Sequence, residues 1–285
     1  MKKNSKIIIG GAQVGMNYGI SNKIGEIPNS SLLKILKYCH SASIKYIDTA
    51  TAYNRSINKL EYCINKLKLQ AYFRFIIKVS EKDLNDLKKK INFFFKKNYF
   101  YCLMAHSSKV FFDERFQELI KICNKKKVKI GVSIYDNREL IKLSRFFCKI
   151  NVIQIPYNLL NFREFNEKLM KKAKKNKIEF HARSVFHQGF FYLPNNFIQK
   201  KYPKFYKNYI FLKKKFETKD LSIDKISLKF VLCNKYINKI ILGIDNLIQL
   251  KKNLKVINSE KLDFNFNKKI IDQFFIKNVP DPRSF

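Results

Sequence analysis

Hydrophobic residues follow a two-part pattern that repeats along nearly the whole chain. Short runs rich in Ile, Val, Phe and Tyr, typical of buried strands, alternate with longer stretches in which apolar residues recur at helical spacing. In the stretch 31–43, for example, Leu32, Leu36 and Cys39 fall on one face of a helix. Such stretches are long enough to connect two parallel strands, so the pattern predicts alternating strands and helices.

The number of strands points to the fold. Eight strand-like segments are present, at 6–12, 45–49, 75–79, 101–106, 129–133, 152–157, 178–184 and 239–244. Eight strand and helix units in 285 residues fit a closed (β/α)₈ barrel of the α/β class, the TIM barrel. An open doubly wound sheet usually has GxGxxG after its first strand, whereas this chain has GGAQVG at 10–15.

We predict a single barrel domain over residues 1–285, because no linker rich in Pro, Gly or Ser divides the pattern. The longest departure is the stretch 190–220, which contains a further predicted helix at 205–216. This helix either covers one side of the barrel mouth or contributes to substrate binding.

The net charge of +36 raises the question of a nucleic-acid partner, because clustered basic residues bind phosphate backbones. Most of these residues are lysines in a chain also rich in Asn, Ile and Phe, which indicates a nucleotide bias of the genome. The lysine runs at 88–90, 125–127 and 213–215 lie in predicted helices without RNA-binding motifs. We therefore interpret them as solvated helix faces and predict no nucleic-acid partner.

The six cysteines are scattered without a CxxC pair or a histidine-bearing metal pattern, so neither disulfides nor a metal site is predicted. The apolar segment 7–9 is too short for the core of a signal peptide. No apolar run approaches the roughly 18 residues of a membrane helix. We expect a cytoplasmic protein without a membrane partner and leave its oligomeric state open.

Four polar residues lie where a barrel places its chemistry, at the carboxyl ends of strands. Asp48, Lys78 and His106 close the second, third and fourth predicted strands, and Tyr53 follows the second. Burying an isolated charge is costly, so Asp48 and Lys78, on neighbouring strands, are expected to pair. Each of the four residues has an ordinary structural explanation by itself, and their occurrence at one end of consecutive strands makes them candidates for catalysis.

This combination resembles the aldo-keto reductase family. The family pattern is a strand ending in DTA, a Tyr five residues after its Asp, and a Lys and a His that close the next two strands. Further stretches are similar to short bacterial members of the family, namely GAQVGMNYGI, GVSIYD, VIQIPYNLLNFR, RSVFHQG and IILGIDNLIQLKKNL. The resemblance covers nearly the whole chain and implies an NAD(P)-dependent oxidoreductase that reduces an aldehyde or ketone, with sugar-like compounds among the candidates.

The resemblance also implies catalytic roles. Tyr53 would be the general acid that protonates the carbonyl oxygen as hydride arrives from the nicotinamide. A positive charge beside a phenol favours its ionised form, so Lys78 would assist this proton transfer. Asp48 would hold Lys78 in place, and His106 would orient the carbonyl by a hydrogen bond.

Cofactor ligands follow from the same resemblance. Ser133 and Gln154 would bind the nicotinamide carboxamide. Arg183 occupies the position where many members have an aromatic residue that stacks on the nicotinamide, and a planar guanidinium can stack there or reach phosphate. The residues expected around the pyrophosphate are Ser184, Phe186 and Gly189.

The segment 243–253 would hold the adenosine half through Gly243, Asp245, Gln249 and Asn253. Family habit favours NADP(H) slightly over NAD(H). Members that prefer NADPH often have Lys, Ser and Arg for its 2′-phosphate, and the matching residues here are Gly243, Ile244 and Gln249. Without the arginine fork, and with Asp245 nearby, NAD(H) stays an alternative.

A second function also fits the resemblance. The chain would then be a nicotinamide-binding module with weak catalysis, acting as a redox sensor or an interaction partner. A binding module has no need for a paired Asp48 and Lys78, so the enzyme with a small-molecule carbonyl substrate is the preferred hypothesis.

Overall fold

Eight parallel strands close into a barrel in which each strand pairs with its neighbours in chain order. The computed structural model describes residues 3–86, 100–218, 221–259 and 279–281. The strands are β1 Ile7–Gly10, β2 Tyr46–Ala50, β3 Arg74–Val79, β4 Phe100–Ala105, β5 Lys129–Ser133, β6 Val152–Pro156, β7 Glu179–Arg183 and β8 Ile237–Leu242. The predicted (β/α)₈ barrel is confirmed, and every predicted strand overlaps one of these.

Helices connect the strands on the outside of the barrel. They are α1 Ala12–Gly15, α2 Asn29–Ser41, α3 Ser56–Lys66, α4 Ser108–Phe112, α5 Glu114–Lys125, α6 Asn137–Leu143, α7 Glu167–Lys175, α8 Asn195–Lys201, α9 Pro203–Phe216, α10 Ile223–Cys233 and α11 Leu247–Asn258. Short 3-10 helices lie at Lys3–Lys6, Glu81–Asp83, Ser144–Lys149, Phe162–Glu164 and His187–Tyr192. Within the described ranges, no helix has the length and apolar character needed to cross a membrane.

Most strand boundaries lie within one residue of the sequence prediction, and those of β1 and β8 differ by up to two. Strand β1 ends at Gly10 rather than at residue 12, because Ala12 begins the one-turn helix α1. Strand β8 begins at Ile237, two residues before the predicted start at Lys239. The polar, exposed residue Asn238 obscured this start, and Lys239, at the predicted start, is largely buried.

The amphipathic pattern of the helices is confirmed by their packing. In α2 the buried residues include Leu32, Leu36 and Cys39. The helix predicted at 205–216 is α9, whose Phe205 and Tyr209 are buried against aromatic rings of the preceding segment. Of the predicted lysine runs, 125–127 lies at the end of α5 and 213–215 lies in α9, while 88–90 lies outside the described residues.

The barrel interior is apolar in its middle and polar at both ends. Its middle is filled by the side chains of Ile8, Ile76, Cys102, Met104, Val152 and Ile241. Below them, at the amino-terminal ends of the strands, lies a group that we call the barrel-floor cluster. It consists of Tyr46, Tyr101, Lys129, Glu179, His181 and Lys239.

Glu179 is the centre of the barrel-floor cluster. Its carboxylate accepts hydrogen bonds from the Tyr101 hydroxyl at 2.7 Å and from Lys129 Nζ at 2.5 Å, and it lies 3.0 Å from His181 Nε2. Burial alone would raise the pKa of Glu179, but these hydrogen bonds outweigh it and lower the pKa. Burial lowers the pKa of His181, so both groups resist protonation in the folded state.

The barrel-floor cluster therefore makes stability depend on pH. A carboxyl whose pKa is lowered by folding stabilises the fold above its unfolded pKa and loses that contribution as pH falls, and a buried neutral histidine acts in the same direction. We expect Glu179→Gln to lower the free energy of unfolding at pH 7 by about 1–3 kcal/mol, because its charged acceptor is lost. The variant should also lose less stability than the parent protein as the pH falls from about 5 to about 3, where the unfolded carboxyl takes up its proton.

Urea unfolding followed by circular dichroism at several pH values measures both effects. Glu81→Gln is the matched control, because Glu81 forms an exposed ion pair with Lys109. Equal effects of the two substitutions would contradict a stabilising role for the barrel-floor cluster.

Candidate active site

The four candidate catalytic residues meet at the carboxyl-terminal end of the barrel. Asp48 lies in β2 and Lys78 in β3, while His106 immediately follows β4. Tyr53 lies in the loop between β2 and α3. Tyr53, Lys78 and His106 line one cavity, and Asp48 lines the cleft that adjoins it.

A buried ion pair lies at the bottom of this site. Asp48 and Lys78 are each 2% exposed, and Lys78 Nζ donates a hydrogen bond to Asp48 Oδ2. The other carboxylate oxygen, Asp48 Oδ1, accepts a hydrogen bond of 2.8 Å from Gln154 Nε2. Burial acts to lower the pKa of Lys78, but Asp48 and Tyr53 outweigh burial and leave that pKa raised. Lys78 is therefore held as a buried cation.

Tyr53 and His106 lie next to this cation. Lys78 Nζ is 4.9 Å from the centre of the Tyr53 ring, and the rings of Tyr53 and His106 are 5.9 Å apart, edge to face. Burial and the positive charge of Lys78 lower the pKa of His106 to about 4. The imidazole is thus neutral at pH 7, when one ring nitrogen donates a hydrogen bond and the other accepts one.

The Tyr53 loop is fixed by close packing against α1. A Cβ on Gly15 would lie 2.1 Å from the carbonyl oxygen of Tyr53, so glycine is needed there. Ser56, at the start of α3, donates a hydrogen bond of 2.7 Å to the carbonyl oxygen of Gly11 and also contacts Thr49 Oγ1 at 2.9 Å. These buried contacts tie the Tyr53 loop to the ends of β1 and β2.

The cavity above the ion pair has a volume of about 610 Å³. Three predicted cofactor residues line it, namely Ser133, Gln154 and Arg183. Gln154, predicted to bind the carboxamide, here hydrogen-bonds Asp48. The Arg183 guanidinium lies 4.3 Å from the Tyr135 ring centre, and its Nη2 donates a 3.2 Å hydrogen bond to the carbonyl oxygen of Ile134.

The adjoining cleft runs between the ends of β7, β8 and β1. The predicted cofactor residues that line it are Arg183, Ser184, Phe186, Gly189, Gly243, Asp245 and Gln249. Asn253 lies outside both linings. It is buried on α11, and its Nδ2 has no hydrogen-bond partner among the described residues.

Close contacts among Gln13, Gly243, Asp245 and Gln249 form part of the wall of this cleft. A Cβ on Gly243 would lie 2.7 Å from Gln13 Nε2, so a larger residue would displace the Gln13 side chain. Gln13 and Gln249 hydrogen-bond the carboxylate of Asp245, whose pKa is nevertheless raised by burial. The amide of Asp245 donates a hydrogen bond of 2.7 Å to Gln249 Oε1, which fixes the side chain of Gln249.

Sequence reasoning missed several residues that line the two cavities. They are Gln13, Tyr18, Tyr135, Gln188 and Tyr192. Tyr18 lies within the stretch GAQVGMNYGI, and its ring is 6.5 Å from that of Tyr53. Burial raises the pKa of Tyr18 to about 12. The position of Tyr135, two residues after Ser133 at the end of β5, was a usable signal. Of the others, Tyr18 lies in a loop, Gln13 lies in α1, and Gln188 and Tyr192 lie in the 3-10 helix His187–Tyr192.

No group of His, Cys, Asp and Glu side chains among the described residues could hold a metal ion. The polar groups at the barrel mouth are hydrogen-bond donors and acceptors around the paired charges of Asp48 and Lys78.

Comparisons with known proteins identify the class. The model of the aldo/keto reductase family matches residues 6–272. A Pseudomonas aeruginosa protein, PA4992, described as a "putative aldo-keto reductase", is similar at 14% identity and a TM-score of 0.62, over 88% of this chain and 89% of that one. The thermostable aldo-keto reductase Tm1743, solved with the inhibitor epalrestat, is similar at 17% identity and a TM-score of 0.65, over 94% of each chain. No curated protein matches the sequence.

The chain belongs to the aldo/keto reductase family. This family consists of oxidoreductases that use nicotinamide cofactors and act on small-molecule carbonyl compounds. The two solved structures, both below 25% identity, support the fold.

The buried ion pair yields a prediction about stability. Lys78→Met leaves the Asp48 carboxylate buried without its partner, which should lower the free energy of unfolding by about 3–5 kcal/mol. The double variant Asp48→Asn with Lys78→Met removes both charges and should recover much of that loss. Urea unfolding followed by circular dichroism measures the three proteins.

Lys109→Met is the control, because the Lys109 side chain is 78% exposed in its ion pair with Glu81. Its effect should stay below about 1 kcal/mol. If the double variant is no more stable than Lys78→Met, the unpaired Asp48 carboxylate is not the cause of the lost stability.

Proposed function

We propose that this protein is an NAD(P)H-dependent reductase of an aldehyde or ketone, in which Tyr53 is the general acid. The observation that carries the proposal is the buried pair of Lys78 and Asp48 directly beneath Tyr53, beside a neutral His106. We also propose that residues 1–285 form a single barrel domain.

In this mechanism Tyr53 donates its phenolic proton to the carbonyl oxygen of the substrate. The Lys78 ammonium, 4.9 Å from the ring centre, stabilises the phenolate that remains. Asp48 keeps Lys78 charged and positioned, and Gln154 fixes Asp48 by a hydrogen bond of 2.8 Å. The proton donor Tyr53 therefore lies beside a buried, hydrogen-bonded ion pair that is already in position before the substrate binds.

His106 positions the substrate in this mechanism. Its lowered pKa keeps the imidazole neutral, so it donates a hydrogen bond to the carbonyl oxygen without competing with Tyr53 as an acid. Two donors that converge on one oxygen fix the orientation of the carbonyl and polarise it.

The residues around the cleft fit a dinucleotide. Gly243 and Gly189 leave room for the side chains of Gln13 and Ser21, which line the cleft. The amide of buried Asn253, which has no partner among the described residues, suits a heteroaromatic base. Ser184, Phe186 and Gly189 would hold the pyrophosphate, while Ser133 and Gln154 would meet the carboxamide. When bound, the cofactor would supply hydride to the carbonyl carbon of the substrate. Asp245, Gln249 and Asn253 would hold the adenosine half.

A cytoplasmic location is part of the proposal. All six cysteines are free thiols, and four of them are buried. Free thiols without disulfides are typical of a reducing compartment.

Replacement of Tyr53 tests the proposed function. Tyr53→Phe keeps the ring but removes the proton, so we expect the rate of carbonyl reduction to fall by about 10²–10⁴-fold while reduced nucleotide still binds. The assay follows oxidation of the reduced cofactor with a panel of aldehydes, ketones and sugar-like carbonyl compounds.

Tyr18→Phe is the matched control, since it removes a hydroxyl from a neighbouring tyrosine in the same cavity. Its effect on the maximal rate should be much smaller than that of Tyr53→Phe. Unchanged turnover in the Tyr53→Phe variant would exclude Tyr53 as the general acid. If the parent protein binds nucleotide but turns over no carbonyl compound, the redox-sensing module is favoured instead.

The preference between nucleotides is a separate prediction. Because members of the family usually prefer NADPH, we expect this protein to bind NADPH more tightly than NADH, although the Asp245 carboxylate in the cleft favours NADH. Replacement of that carboxylate by an amide, in Asp245→Asn, should improve NADPH binding relative to NADH by about 2- to 5-fold, because a charge repulsion is removed.

Titration of each reduced nucleotide, followed by its fluorescence, measures both affinities. Asp86→Asn is the control, because Asp86 is exposed and lies outside the cleft lining. Tighter binding of NADH by the parent protein would make NAD(H) the cofactor.

A further inference from the structure

A turn with left-handed backbone, residues 184–189, forms part of the wall of the cleft. Ser184, His187 and Gln188 have φ angles of 55°, 49° and 54°, and Gly189 has a φ angle of 93°. Residues other than glycine rarely adopt this conformation, and it persists where the surrounding structure imposes it. Apart from His187, the residues of this 184–189 turn all line the cleft. The shape of the cleft therefore depends on what holds the turn.

His187 connects the turn to two other parts of the chain. It is 1% exposed, and its Nδ1 lies 3.3 Å from Asn158 Nδ2, in the loop that follows β6. Its Nε2 lies 2.8 Å from the carbonyl oxygen of Pro280, in the segment 279–281. Asn158 Nδ2 also donates a hydrogen bond of 2.9 Å to the carbonyl oxygen of Ser184, where the turn begins. One imidazole thus joins three segments that are distant in sequence.

The partners of His187 are compatible with one protonation state. The amide of Leu160 donates a hydrogen bond of 2.8 Å to Asn158 Oδ1, which orients the side chain of Asn158. Asn158 Nδ2 is therefore a donor, and His187 Nδ1 accepts from it. The proton lies on Nε2, which donates to the carbonyl oxygen of Pro280. Burial lowers the pKa of His187 to about 4, so the imidazole is neutral at pH 7.

We propose that His187 is a positioning residue that holds the 184–189 turn in its cleft-lining conformation through its hydrogen bond to the segment 279–281, and thereby raises the affinity of the cleft for nucleotide. The inference rests on the proposed function, because the cleft is taken to bind a dinucleotide. His187 does not line the cleft, so it acts through the turn rather than by touching the nucleotide. A strained turn competes with relaxed conformations, and the fraction of molecules in those conformations weakens the measured affinity.

Two amide substitutions separate the bond to Pro280 from the bond to Asn158. In His187→Gln the side-chain amide is long enough to donate to the carbonyl oxygen of Pro280. In His187→Asn the amide is one methylene shorter and takes the place of Nδ1 beside Asn158. We expect His187→Asn to raise the dissociation constants of NADPH and NADH by about 5- to 30-fold, and His187→Gln to stay within about 2-fold of the parent.

Titration of each reduced nucleotide, followed by its fluorescence, measures these affinities. The maximal rate of carbonyl reduction at saturating nucleotide should change by less than about 3-fold in both variants, because Tyr53 and Lys78 lie outside the turn. His40→Asn is the matched control, since His40 is exposed and lies outside the cleft lining. It should leave the dissociation constants unchanged.

Hydrogen exchange of the nucleotide-free protein gives a readout that does not depend on binding. Within the turn, the amide of Gly189 donates a hydrogen bond of 3.0 Å to the carbonyl oxygen of Phe186. This amide should exchange about 5- to 30-fold faster in His187→Asn than in the parent, and at the parent rate in His187→Gln and His40→Asn.

Equal dissociation constants in His187→Asn and His187→Gln would overturn the proposal, because the bond to Pro280 would then not be the cause. A loss of stability in urea without a change in affinity or exchange would give His187 a purely structural role and would also overturn it. If His187→Asn does not fold, Pro280→Gly takes its place, since it keeps the carbonyl acceptor but loosens the chain that carries it. This variant should raise both dissociation constants by about 2- to 10-fold, and unchanged values would contradict the proposal.

Failure of the proposed function can be recognised separately. If the parent protein binds neither NADPH nor NADH, the cleft is not a nucleotide site and the proposed function fails. Exchange of the Gly189 amide in the nucleotide-free protein then judges His187. Faster exchange in His187→Asn but not in His187→Gln supports its positioning role towards the cleft, and equal exchange in the two variants rejects it.

Discussion

The arrangement of polar groups at the carboxyl-terminal ends of the barrel strands depends on the buried ion pair of Asp48 and Lys78. Two charges with almost no contact to solvent are tolerated only when each is neutralised and hydrogen-bonded. The strand register satisfies this condition, because Lys78 lies opposite Ala50 and Asp48 lies two residues earlier on the neighbouring strand. Gln154 reaches the same carboxylate from β6 across the barrel. Closure of the barrel is therefore what makes the pair possible.

The two ends of the barrel use similar chemistry for different purposes. Each has a carboxylate at its centre, Asp48 at one end and Glu179 at the other, and six apolar side chains separate them. Around Glu179 the partners are numerous and partly solvated, with the Lys129 side chain 36% exposed, so the cluster closes the barrel floor. Around Asp48 a tyrosine hydroxyl and a neutral histidine face a cavity. Polar groups that face open space rather than one another are available to a ligand, which agrees with the usual placement of barrel active sites.

The chain sequence predicted the features that are encoded locally. Strand and helix periodicity gave the barrel, and the position of Asp48, Lys78 and His106 at the ends of strands gave their convergence, because consecutive parallel strands end at one rim. Tyr18 and Tyr135 were not predicted, since their positions depend on loop conformations that tertiary contacts determine. The early start of β8 was hidden by Asn238, a polar and exposed residue between Ile237 and the predicted start at Lys239.

Charge inside the barrel mouth matters more for function than the charge of the whole chain. The net charge of +36 is spread largely over lysines that water and salt screen. Lys78 and Arg183, in contrast, act on His106 across a partly enclosed cavity, and with burial they keep its imidazole neutral. In the proposed mechanism, this neutral imidazole donates a hydrogen bond to the carbonyl oxygen while Tyr53 supplies the proton. Burial and two nearby cations thus set the protonation state of His106, whereas the many surface lysines contribute little to it.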